Sequence, residues 1–100
     1  MDESEFNQLA DTALDRIETA ADACGVDVNR SGNLLEVEFD NASKIIINRH
    51  DINQEIWVAA KSGGFHYAWR DGAWQSSRDG SELYARLQEL FAQQGEEINL

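Results

Sequence analysis

Residues 34–60, LLEVEFDNASKIIINRHDINQEIWVAA, decide the fold. Leu35, Val37 and Phe39 alternate with Glu36 and Glu38, the period-two pattern of a strand with one face buried and one in water. Asp40-Asn41-Ala42-Ser43 is turn chemistry, and it leads into Lys44-Ile45-Ile46-Ile47-Asn48, a β-branched run that favours a strand. His50-Asp51-Ile52-Asn53 reads as the next connection, before a further strand in Glu55-Ile56-Trp57-Val58-Ala59-Ala60. Connections this short require antiparallel neighbours, because a parallel pair needs a crossover of a dozen residues or more.

The pattern continues outward on both sides. Val26-Asp27-Val28 predicts a short strand, joined through the tight turn Ser31-Gly32-Asn33 to the one that follows. Downstream, Ser62-Gly63-Gly64 turns into Phe65-His66-Tyr67-Ala68-Trp69, and Asp71-Gly72 leads to a last short strand around Trp74. Five or six strands result, flanked by two helices. From Ser4 to Ala23, Phe6, Leu9, Ala10, Ala13, Ile17, Ala20, Ala21 and Cys24 recur at three- and four-residue spacing, one apolar stripe of an amphipathic helix, with Gly25 placed to cap it. The second helix is expected to be capped by Asp79 with Glu82 completing a capping box, and carries the stripe Leu83, Tyr84, Leu87, Leu90 and Phe91. Gln93-Gln94-Gly95 ends it and leaves a polar tail to Leu100. Two helices at opposite chain ends are the available cover for one sheet face. The expected class is α+β, a two-layer α/β sandwich with two helices packed on one face of a five- to six-stranded antiparallel sheet.

At 100 residues the chain forms one domain with one core. No stretch has the length of a membrane span, and no basic segment followed by an apolar one opens the chain, so no secretory signal is expected. A single Cys rules out an internal disulfide and fits a reducing compartment, the cytoplasm by default. The net charge of −11 is lopsided: residues 1–40 hold eleven acids against Arg16 and Arg30. Such a field opposes nucleic acid and anionic membranes and attracts cations or a basic protein surface. It also argues for a monomer when metal is scarce.

The acids concentrate on the first helix. Asp11, Asp15, Glu18 and Asp22 fall within an arc of roughly 60°, away from the apolar stripe. Like charges at this spacing repel, and on the sequence alone no Lys or Arg interleaves, since Arg16 points elsewhere. Carboxylates without a soft ligand suit hard or borderline cations, and a convex helix face holds such ions weakly, with most of their waters. Several labile divalent or ferric ions are expected, rather than one caged ion. On the uncovered sheet face, the two-residue period turns Glu55, Trp57 and Ala59 outward, with His66 and Ala68 beside them and Phe65, Tyr67 and Trp69 inward. An outward Trp near Asn48, His66 and Lys61 reads as a partner-contact surface.

Catalytic apparatus is not evident. Cys24 lies on the inner stripe and reads as a small buried hydrophobe. His50 and His66 have no second ligand at metal spacing, and Ser62-Gly63-Gly64 is followed by a strand and not by a helix that would bind phosphate. No nucleophile–base pair is present, so an enzyme is not expected. Ferrous oxidation at the ridge would need a buried His/Glu constellation that the sequence lacks. A nucleic-acid mimic, or another acidic interaction module that binds a basic partner without metal, is the alternative class.

Over nearly its whole length the chain resembles the bacterial frataxins, the CyaY-like proteins. The residues that carry the resemblance are Ser4-Glu5-Phe6 with Leu9-Ala10-Asp11, then Ser43-Lys44-Ile45-Ile46-Ile47-Asn48-Arg49, Ile56-Trp57-Val58-Ala59, Ser62-Gly63-Gly64-Phe65-His66-Tyr67, and Trp74, Gly80 and the Leu83–Leu90 helix. The resemblance implies an α/β sandwich that binds iron, takes part in iron–sulfur cluster assembly, and docks on a cysteine desulfurase and its scaffold protein. By position it implies a metal set of Glu3, Asp11, Asp15, Glu18, Asp22 and Asp27. The implied partner surface is Asp11, Glu18, Asp22, Glu36, Glu38, Asn48, Glu55, Trp57 and His66. Thr19 and Ala23 stand where the family often has carboxylates, and Glu55 where Gln is usual.

Overall fold

A computed structural model describes residues 1–100. Asp2 starts the first helix, α1 (Glu3–Ala23): its carboxylate accepts a hydrogen bond from the Glu5 amide at 2.8 Å. Cys24 ends it, and Gly25 follows with φ of +88°, the left-handed conformation that the sequence predicts there. Six strands then run as an antiparallel meander: β1 (Asp27–Ser31), β2 (Leu34–Glu38), β3 (Lys44–His50), β4 (Glu55–Ala60), β5 (Gly63–Arg70) and β6 (Ala73–Ser76). Spatial order equals chain order, because every connection is a hairpin or a short turn. Asp71 and Gly72 both take positive φ, 51° and 79°, as a two-residue hairpin between β5 and β6 requires. The last helix, α2 (Leu83–Gln93), closes the chain.

Alternation sorts the side chains. Leu35, Val37, Ile45, Ile47, Ile56, Val58, Tyr67 and Trp74 are buried on one sheet face, against Phe6, Ala10, Ala13, Leu14, Ile17 and Ala21 of α1 and Leu83, Leu87, Leu90 and Phe91 of α2. Edge-on aromatic pairs join the layers, with Phe6 against Trp74 at 6.1 Å and Phe39 against Phe91 at 5.1 Å between centroids. Phe65 and Trp69 are half-buried at the margin of this core, and Cys24 is half-exposed, its thiol 3.2 Å from the Ala21 carbonyl.

Four expectations change. The second helix is capped by Glu82, whose two carboxylate oxygens each accept a backbone amide, from Tyr84 and Ala85, at 3.0 Å. Asp79 cannot cap it, because the segment after it stays extended: the Ser81 carbonyl accepts from the Ser76 amide, and Glu82 bridges to Gln75. Asp79 instead binds Ser81 and pairs with Arg86 at 2.9 Å, and the Ser81 hydrogen bonds hold its carboxyl below the usual range. The tail is not simply polar, since Ile98 is buried in the core and Leu100 packs against it. The first strand begins at Asp27 and runs to Ser31, and His50 ends β3 rather than lying in the connection.

Two measurements check this packing. Ile98→Ala should lower the stability by about 2–4 kcal/mol in urea denaturation, and a loss below about 0.5 kcal/mol would show that the tail is not part of the core. Burial pushes the Tyr67 and Tyr84 phenols above their ordinary range. Both phenols are neutral below pH about 10, folded or unfolded, and above it the unfolded chain ionises first, so stability falls as pH rises past that point. Ultraviolet titration should therefore give both tyrosines higher midpoints in the folded protein than in urea; equal midpoints would contradict it.

Candidate functional site

With the apolar stripe of α1 fixed in the core, Asp11, Asp15, Glu18 and Asp22 turn outward along one exposed side of the helix. The sheet then supplies what the sequence alone did not reveal. On β1, Arg30 pairs with buried Leu35, and on β3, Arg49 pairs with buried Ile56, so both arginines project to the helix side of the sheet. Arg30 Nη1 lies 3.1 Å from Asp15 and 3.0 Å from Glu18. Arg49 Nη1 donates to Asp11, Nη2 donates to Asn33 at 2.7 Å, and Nε is 2.9 Å from Asp51. The row expected to be uncompensated is therefore partly compensated: Asp11, Asp15 and Glu18 have guanidinium partners, and Asp22 has none. Arg16 does point elsewhere, over the Tyr84 ring at 4.2 Å.

The remaining candidates separate by position. Glu3 lies eight residues before Asp11, about 12 Å along the helix axis, and stands apart from the row. Asp27 opens β1 on the other phase of the strand and lies opposite Glu38, so it belongs with the open sheet face and not with α1. Glu36 and Glu38 sit on that same face, where Lys44 Nζ lies 3.1 Å and 3.9 Å from them. Nowhere do three His, Cys, Asp or Glu side chains converge to cage a metal. The ridge is suited to hydrated cations held by one or two carboxylates each, as its convexity predicts.

The open face carries a second feature. The register sets Asn48, Trp57 and His66 side by side across β3, β4 and β5. The indole of Trp57 is stacked between two imidazoles: His50 at 3.9 Å and 8°, His66 at 4.2 Å and 6°. Trp57 Nε1 donates to Glu55 at 2.9 Å, which fixes the ring. Beside it lies a shallow hollow of about 220 Å3 lined by Leu34, Ile46, Asn48, Trp57, Ala59 and His66. Asn48, Glu55, Trp57 and His66 are thus brought together as expected. His50 is the missed member, and the signal was present: it is two residues past Asn48 in the same alternation.

The ridge carboxylates should differ in stability effect according to their partners. Arg49→Gln should cost about 1–2 kcal/mol, since its little-exposed side chain ties Asp11, Asn33 and Asp51 together across α1 and the sheet. Asp22→Asn should change stability by less than about 0.5 kcal/mol, or raise it slightly. Chemical denaturation of both variants tests the ranking; equal losses would contradict it.

Comparison with known proteins agrees with this architecture. Residues 1–97 match the frataxin-like domain. The iron-sulfur cluster assembly protein CyaY of Dechloromonas aromatica is 51% identical, over 100% of this chain and 99% of its own. Frataxin from Psychromonas ingrahamii superposes with a TM-score of 0.89 at 37% identity, covering 99% of this chain and 97% of that one. A trimeric frataxin from the yeast Saccharomyces cerevisiae, complexed with ferrous iron, gives a TM-score of 0.68 at 28% identity, covering 89% and 81%. No helix is long and apolar enough to cross a membrane. Two helices on one face of an open six-stranded antiparallel sheet, a carboxylate row on the first helix and a half-buried Trp on the bare face occur together here in a chain that belongs to the frataxin family.

Proposed function

We propose that this protein binds iron weakly on the α1 ridge and docks on a cysteine desulfurase–scaffold complex to modulate iron–sulfur cluster formation, acting as an adaptor and not as an enzyme. The observation that carries this reading is the exposed carboxylate row, Asp11, Asp15, Glu18 and Asp22, in a chain of net charge −11. Four acids on one helix side repel one another, and the two guanidinium groups that reach the row leave Asp22 without an ion pair. A cation or a basic protein surface relieves that repulsion. A relative named for iron–sulfur cluster assembly and a frataxin complexed with ferrous iron give the cation and the partner a chemical class.

Iron is cargo in this reading. Each ion would contact one or two carboxylates and retain its waters, so exchange would be fast and selectivity over other divalent cations low. The Trp57 surface would supply the second contact, an aromatic platform held rigid by its two imidazole neighbours, with Asn48 and Glu55 at the rim. The acidic side would steer association with a basic partner, which makes docking salt-sensitive.

In anaerobic buffer of low ionic strength, millimolar ferrous ion should raise the melting temperature by about 5 °C. The variant with Asp15, Glu18 and Asp22 changed to Asn or Gln should lose most of that rise and most of its retention on immobilised desulfurase. A melt unmoved by ferrous and manganous ion would count against iron binding. Retention on nucleic-acid-binding proteins in place of the desulfurase would favour the mimic reading.

A further inference from the structure

Arg30 belongs to the sheet, yet its guanidinium sits in the middle of the ridge. One nitrogen, Nη1, is 3.1 Å from Asp15 Oδ1 and 3.0 Å from Glu18 Oε1, while Nε donates to the Gly32 carbonyl at 3.0 Å. The two carboxylates are three residues apart on α1, neighbours on the helix surface. A divalent ion shared by the same pair would occupy the place that the guanidinium nitrogen holds.

We propose that Arg30 is a built-in competitor for the metal, displaced when an ion enters the centre of the ridge, and that it thereby sets the affinity of that central position. The inference rests on the iron-binding reading above. The ridge is graded from end to end. At one end Asp11 is locked, because Arg49 is also tied to Asn33 and Asp51 and is little exposed. At the other end Asp22 has no ion-pair partner. Between them, Asp15 and Glu18 are 71% and 39% exposed, so their shared guanidinium is held by contacts that water and salt already weaken. A first ion lodges at the Asp22 end, and a second must displace Arg30. Arg30 cannot leave by losing its proton, since guanidinium stays charged at any working pH. At neutral pH, where the carboxylates are ionised as well, displacement is therefore driven by metal concentration. A tethered cation held by two exposed ion pairs should lower metal affinity at this point by about three- to tenfold.

The test is calorimetric titration of the full chain with manganous ion at low ionic strength, comparing wild type with Arg30→Gln, Arg30→Lys and Arg16→Gln. Arg30→Gln should bind the second ion about three- to tenfold more tightly with the same number of ions at saturation, and Arg30→Lys should lie nearer wild type. Arg16→Gln removes the same charge from a side chain that packs on Tyr84 and touches no carboxylate, and should stay within about twofold of wild type. If Arg30→Gln binds no better than Arg16→Gln, the inference fails and the iron reading stands. If neither wild type nor Arg30→Gln binds manganous ion, both fail. Should Arg30→Gln not fold, the Arg30 side-chain NMR signal of wild type decides: it should shift when zinc ion is added, and a signal that stays fixed while the Asp15 and Glu18 amides move would overturn the proposal.

Discussion

The seating of α1 across the inner face of the sheet is the contact on which the other features depend. Phe6, Ala10, Ala13, Leu14, Ile17 and Ala21 are each buried almost completely, and small residues at three of these positions let the helix approach the strands closely. Once that stripe is fixed, the rotation of the helix is fixed, and the acids a half-turn away have no choice but to face water. The same contact brings α1 within reach of Arg30 and Arg49, whose strands lie beneath it. It also leaves the second sheet face bare, because both helices are on the first. The ridge and the Trp57 surface are thus consequences of a single packing arrangement, seen from two sides of the sheet.

The electrostatics of the ridge follow from how far each carboxylate is from a guanidinium. Exposed ion pairs contribute at most about 1 kcal/mol each, similar in size to the like-charge repulsion that they offset. The row is therefore close to balance at its centre, tied down at Asp11 and in excess at Asp22. A protein selected only for stability gains nothing from that excess. A protein that must take up and release a cation gains from it, because strong internal compensation would exclude the ion and none would destabilise the helix. On the proposed reading any cation on this ridge would be held weakly, since no third ligand converges on any pair.

Much of the fold was legible in the chain because its signals are local. Leu35-Glu36-Val37-Glu38-Phe39 states which face is buried, Asp71-Gly72 states where a hairpin turns, and the spacing from Phe6 to Ala21 states which side of α1 is dry. What was not legible depends on contacts between residues far apart. Arg30 and Arg49 meet α1 only because strand phase turns them towards it, a fact set by the register with Leu35 and Ile56. Asp79 reads as the cap with Glu82 as its capping-box partner, and the Gln75–Glu82 bridge, a tertiary contact, moves the cap to Glu82. Ile98 looks like an isolated apolar residue in a polar tail until the gap that it fills is known. His50 reads as part of a turn from its neighbours Asp51 and Asn53, whereas pairing with Glu55 extends the strand through it and brings its ring onto Trp57.

In the proposed function the carboxylate side of α1 is the place where a positive partner comes to rest. Titration of the 15N-labelled protein with paramagnetic manganous ion, followed amide by amide, tests it most directly. Signals from residues 15–24 and from the facing part of β1 should be lost first, while those of Asn48, Trp57 and His66 persist. Early loss on the open sheet face, or uniform loss over the whole molecule, would contradict it.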